Sequence, residues 1–201
     1  MTPENTALIL IGFQNDYFAQ DGILKDFIDE SAKETQALSN SLRLLDALVD
    51  TPILAIQTPI QFTDDYSELG NPVGILKAIK DVGAFKRSGP GGAVIEQFKA
   101  HGDRIQTVPG KHGLNAFSNT DLETILKDNN IENIVLAGAV TSICIDSTGR
   151  SAHERGFGVT VLSDCTCGRT QMEQDFYCEQ VLPLYADVST SEELLKKLGV
   201  A

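Results

Sequence analysis

Ile134-Val-Leu-Ala-Gly-Ala-Val-Thr-Ser-Ile-Cys144-Ile-Asp-Ser-Thr-Gly-Arg-Ser-Ala-His-Glu-Arg-Gly156 is the stretch that decides the fold. Its first four residues form an apolar run of the kind that makes a strand covered on both faces. The remainder is helix-length and stops at a glycine. Cys144 therefore falls near the turn where a strand hands over to a helix. The free backbone N–H groups and the positive end of the helix dipole favour an anionic sulfur at such a turn. The same amides can hold an oxyanion. An α/β hydrolytic enzyme places a cysteine nucleophile in this position.

The pattern repeats outward from that segment. Thr6-Ala-Leu-Ile-Leu-Ile11, Ile53-Leu-Ala-Ile56, Ile105-Gln-Thr-Val108 and Val159-Thr-Val-Leu162 are further short apolar runs, and Tyr185-Ala-Asp-Val188 is a weaker one. Helical patterns lie between them. Residues 31–49 carry Leu38, Leu42, Leu45 and Leu48 at helical spacing, and Thr120 with Glu123 and Thr190 with Glu193 read as capping boxes. The alternation predicts a Rossmann-like α/β/α sandwich with a mostly parallel sheet of about six strands. Residues 59–92 are rich in Gly and Pro without a clear period, which predicts a functional loop or lid. In such a sheet ligands bind beyond the carboxyl ends of the strands.

Composition sets the outer bounds. The chain has 201 residues, is 42% hydrophobic and carries a net charge of −12. That size supports one well-buried domain over residues 1–201, and no linker or repeat divides it. The acidic balance argues against nucleic acid, since phosphate binding needs basic patches. No apolar run approaches the length of a membrane span, and acidic Glu4 precedes the first apolar run in place of a cationic leader. The four cysteines are then expected as free thiols in a reducing cytoplasm.

Three segments together carry a resemblance. Gly12-Phe-Gln-Asn-Asp-Tyr17, Lys111 with the following His-Gly-Leu-Asn-Ala-Phe117, and Gly138 to Cys144 resemble the isochorismatase-like cysteine hydrolases, a superfamily that includes nicotinamidases, carbamoylsarcosine amidohydrolases and isochorismatases. The likeness runs from about residue 7 to residue 195. It implies the three-layer fold and an Asp–Lys–Cys triad in which Asp takes the thiol proton, Lys111 steadies the charge and Cys144 attacks a carbonyl. It also implies a cis peptide between Ala139 and Val140, with the amides of Val140 and Cys144 as the oxyanion hole. The substrate is then a small molecule, and a dimer or tetramer is common in such proteins.

The sequence departs from that pattern twice. The position of the catalytic Asp is Gly12, which offers no base and no partner for Lys111. General-base help of that kind contributes about 10²–10⁴-fold in rate. Restoring the carboxylate with Gly12→Asp is the direct test of what was lost. The nicotinamidase branch also binds a metal through an Asp-x-His after the second strand. This chain has Pro59-Ile60-Gln61 there, and His101, His112 and His153 lack ligand spacing. No metal and no other cofactor is expected.

Around the nucleophile, Phe13, Gln14, Tyr17, Pro59, Ile60, Phe117 and Ala139 are candidate walls of a mostly apolar pocket. Arg87, Arg150 and Arg169 are candidate anchors for an anionic substrate, and Asp16 is read as structural support. Cys165 and Cys178 read as structural thiols, although Cys165-Thr-Cys167 also admits a redox role. The leading expectation is a hydrolase of a small amide or related C–N bond through a thioester on Cys144. A catalytically silent relative that binds a small ligand or a partner protein is the alternative that Gly12 supports.

Overall fold

The computed structural model describes residues 1–200. Six strands, β1 (Thr6–Ile11), β2 (Leu54–Thr58), β3 (Ile105–Thr107), β4 (Asn133–Ala139), β5 (Gly158–Cys167) and β6 (Asp187–Ser189), form one sheet in the order β3-β2-β1-β4-β5-β6. Every pairing is parallel, so the expected mostly parallel sheet is wholly so.

The helices are α1 (Asn15–Phe18), α2 (Lys25–Thr35), α3 (Ala37–Ala47), α4 (Gly74–Val82), α5 (Glu96–Lys99), α6 (Leu122–Asp128), α7 (Asp146–Glu154), α8 (Gln171–Phe176) and α9 (Ser191–Leu198). They cover both faces. Ala7, Ile9 and Ile11 of β1 pack with Leu122 and Leu126 of α6 and Ala152 of α7. Leu8 and Leu10 point the other way, onto Leu44 and Leu45 of α3 and Leu194 of α9. A strand covered on both sides has no solvent face to alternate towards, which is why β1 reads as an unbroken apolar run.

Several local expectations are corrected. The helix expected over 31–49 is two helices, α2 and α3, separated by Gln36 in the left-handed region at φ 53°. The four patterned leucines, Leu38, Leu42, Leu45 and Leu48, all follow the break, so the spacing belongs to α3 and its C-terminal end. The Thr120–Glu123 box does not form. Asp121 occupies the cap position of α6. The Thr120 hydroxyl donates to Ala116 O at 2.6 Å, and Glu123 pairs with Lys127 and Arg155 instead. The Thr190–Glu193 box does form. Residues 59–92 contain α4 and a short turn of helix at Ser67–Leu69. β5 runs on past Leu162 to Cys167 through an irregularity opposite β4.

The order of the strands places the site. The chain builds β1, β2 and β3 towards one edge, then returns to lay β4, β5 and β6 towards the other. The reversal falls between β1 and β4, the switch point at which open α/β sheets bind ligands. Ile11 pairs there with Gly138. A Cβ on Gly138 would sit 1.8 Å from Ile11 O, so only glycine lets the two strand ends come this close.

Candidate active site

Cys144 lies just beyond the end of β4, in a single π-helical turn (Thr141–Ile145) that runs into α7. The Val140 carbonyl accepts from both Ile143 N and Ile145 N, at 3.0 and 3.2 Å. The peptide joining Ala139 and Val140 is cis. The Cys144 side chain borders a cavity, as do Gly12, Tyr17, Lys111 and Ala139. Ile11, Ile60, Leu114 and Ile143 complete its floor and sides, and Ile75, Ile79 and Phe85 close it from the segment expected as a lid. The cavity is narrow. A water centre has only about 10 Å³ in which to move, room for about one water. A small amide is larger than this, so binding one requires the walls to separate.

Lys111 is the central polar group. It is 1% exposed. Its Nζ donates to Gly113 O at 2.6 Å and to Cys144 Sγ at 3.5 Å. Neither partner is a carboxylate. The loop that carries Lys111 is tied to the neighbouring strand end, because Gln61 N donates to Lys111 O.

Gly12 also lines the cavity, at φ +74°. A Cβ there would lie 2.7 Å from Ala139 O. The position is thus more than an absent side chain. Its backbone has taken a left-handed conformation that side-chain-bearing residues adopt only with strain. Gly12→Asp cannot simply put a carboxylate back, and the expected meaning of that substitution changes accordingly.

The segment after β1 holds the cavity together. The Gln14 side chain donates to Ile60 O and Gly92 O, at 2.9 and 2.8 Å, and accepts from Ile60 N at 2.9 Å. Asn15 Nδ2 donates to Pro90 O. Asp16 Oδ2 accepts from Phe85 N at 2.5 Å. Burial raises the Asp16 carboxyl above its ordinary value, and the hydrogen bonds from Phe85 and Ile23 oppose that rise. Gln14, Asn15 and Asp16 thereby staple the two ends of the lid segment to the tip of β1.

Other sequence candidates fall elsewhere. Phe13 is not a pocket wall; it stacks on Phe18 and packs against Phe98 in the core. Gln14 braces backbone and faces no ligand space. Pro59 does not border the cavity, whereas its neighbour Ile60 does. Phe117 lies in the core beside Phe157, with the Arg155 guanidinium over its ring. Arg87 is exposed and away from the cavity. Arg150 pairs with Asp146, and Arg169 with Glu173. The apolar contributions of Ile75, Ile79, Phe85 and Leu114 were not anticipated. The 3.6-residue spacing of Ile75 and Ile79 in α4 was the available signal.

Tyr17 adds a polar tip to the cavity. Burial, and then the neighbouring Cys144, Cys167 and Asp16, hold its phenol well above the ordinary value. It therefore stays protonated and able to donate. Cys165 and Cys167 are free and buried in separate core clusters, which leaves the redox reading without a paired site. Among the described residues no group of three or more His, Cys, Asp or Glu side chains is placed to hold a metal ion, and no helix is long and apolar enough to cross a membrane.

The thiols differ in a measurable way. Burial pushes Cys165 and Cys167 up to about 12 and Cys178 up to about 11. At pH 8 these three are protonated, and protonated thiols are poor nucleophiles. Native protein treated with iodoacetamide at pH 8 is expected to gain one adduct, on Cys144, and four in denaturant. Peptide mapping that finds Cys178 modified first would contradict this.

A parallel α/β/α domain with a buried thiol and lysine at its switch point is the class that fold and site define. A family model described as the isochorismatase domain matches residues 6–193. The chain belongs to the isochorismatase family. It is 27% identical to the uncharacterized isochorismatase family protein YddQ of Bacillus subtilis, over 95% of this chain and 99% of that one. It is 30% identical to the ureidoacrylate amidohydrolase RutB of Agrobacterium fabrum, over 83% of this chain and 77% of that one. Among solved structures, a cysteine hydrolase from Pseudomonas syringae superposes with a TM-score of 0.81 at 21% identity, covering 99% of this chain and 94% of that one. At that identity the match speaks for the fold.

Proposed function

We propose that this chain is a cysteine hydrolase of a small amide C–N bond, working through a thioester on Cys144 with Lys111 in place of the missing aspartate as keeper of the proton. The observation that carries this reading is the contact of 3.5 Å between Lys111 Nζ and Cys144 Sγ in a buried site. When one proton is shared between Sγ and Nζ, moving it from one to the other leaves the net charge of the pair unchanged. In the first half-reaction sulfur attacks the carbonyl carbon, Lys111 holds the thiol proton, and the Val140 and Cys144 amides take the oxyanion. The C–N bond breaks and Lys111 returns the proton to the leaving nitrogen. Water then attacks the thioester, giving one proton to Lys111; the C–S bond breaks, the carboxylic acid leaves, and Lys111 passes that proton to the departing sulfur to restore the thiol. The amidohydrolase among the relatives supports a C–N bond as the target.

The test is a panel of small amides, with released amine measured alongside intact mass after acid quench. Turnover with an acyl adduct on Cys144, both lost in Cys144→Ala, is the expected result. Turnover that survives Cys144→Ala would refute the mechanism. The second reading, a silent relative that binds a small ligand or a partner protein, is favoured by Gly12. It predicts neither turnover nor adduct anywhere in the panel.

A further inference from the structure

We propose that the cavity beside Cys144 selects uncharged amides with a small aliphatic acyl group and excludes amides that carry a carboxylate. The word amide rests on the hydrolase reading above, while the selection rests on the walls themselves. Ile60, Ile75, Ile79, Phe85, Leu114 and Ile143 surround the space opposite the sulfur. The polar side chains that border it are Tyr17, Lys111 and Cys144. The one basic side chain among them already faces the sulfur it serves. A substrate carboxylate has two choices here. It can lie unpaired against isoleucine side chains, which is costly for a buried charge, or it can draw Lys111 away from Cys144 and stop the reaction.

Charge outside the cavity points the same way. Arg87, the anchor expected from sequence, is exposed and does not border the space. Arg150 is held by Asp146 of its own helix and Arg169 by Glu173 of α8. The protein's net charge of −12 lowers the local concentration of anions. Tyr17, kept protonated by its burial, offers a hydrogen bond to a neutral oxygen or nitrogen. The site therefore provides one polar tip, one thiol–lysine pair and otherwise hydrocarbon.

A shape-matched pair tests this. In 4-methylpentanamide and succinamate the amide and chain length are the same, and an isopropyl end replaces a carboxylate end. Each is titrated against the rate at which iodoacetamide labels Cys144, and each is assayed for hydrolysis. The expected result is protection by 4-methylpentanamide at concentrations about 100-fold or more below those succinamate needs. Equal or better protection by succinamate, or protection by neither, overturns the proposal. Protection by 4-methylpentanamide without hydrolysis upholds the selectivity and rejects the hydrolase reading. Hydrolysis of succinamate does the reverse.

A variant reads the same property from the other side. Ile75 is a half-buried wall residue on α4, so a longer side chain there can keep its charged end near solvent. Ile75→Arg is expected to shift the ratio of the two protections at least about tenfold towards succinamate. An unchanged ratio in a variant that melts normally counts against the proposal. If the variant fails to fold, the comparison on the native protein decides alone.

Discussion

Lys111→Met is expected to lower amide turnover by about 10²–10⁴-fold while leaving the melting temperature unchanged or raised. The two halves of that expectation come from the same burial. Lys111 is 1% exposed, and its Nζ contacts Cys144 Sγ and one backbone carbonyl. Methionine fills a similar volume without a charge. Removing one partner of a buried pair is costly when it strands a charge, and here the sulfur can keep its own proton, so no charge is left behind. A lysine present for structure would show the opposite pattern, a lower melting temperature with little change in turnover per folded molecule. The measurement is kcat for the best amide together with a thermal melt. Turnover within a few-fold of the native rate would remove Lys111 from the mechanism.

Gly12→Asp is expected to destabilise the protein without raising its turnover. Residue 12 sits at φ +74°, and any Cβ meets Ala139 O at 2.7 Å. A side chain forced into a sparsely populated backbone region costs about 1–3 kcal/mol. For a chain of this size that corresponds to roughly 3–10 °C in melting temperature. The carbonyl that must move belongs to the residue before Val140, so relief of the clash disturbs the amides assigned to the oxyanion. Gly12→Ala is the control. It adds the same Cβ without a carboxylate and is expected to lose a similar part of the stability. A Gly12→Asp protein that gains turnover while melting normally would show that the backbone relaxes and that the chain had merely lost its base.

Much of the fold was legible because buried parallel strands are written as unbroken apolar runs, and β1, β4 and the start of β5 are such runs. The interruption at Gln36 was not legible. The patterned leucines all lie beyond it, in α3 and at its end, and a single residue at positive φ leaves no pattern. Thr120 and Glu123 stand at capping-box spacing, yet Ala116 offers the threonine hydroxyl a better acceptor. In the site, Cys144, Lys111 and Gly12 all lie in stretches that follow a strand, and the family resemblance singled out Lys111 and Gly12 within them. Phe13 and Phe117 were misplaced for a related reason. Proximity to a strand end does not say towards which side a ring turns, and both turn into the core. The walls supplied by α4 were hidden inside a segment whose glycines and prolines masked a short helix.

The strand order also governs how the chain emerges from the ribosome. β1 is made first, yet it is a central strand, paired with β2 on one side and with β4 on the other. Until synthesis has passed Ala139, the apolar β1 is a sheet edge with its hydrogen-bonding groups open along one side. Such an edge is a template for pairing with other chains. Between the making of β2 and the docking of β4 the nascent chain is most open to wrong pairing, and the thiol follows directly after the strand that ends that exposure.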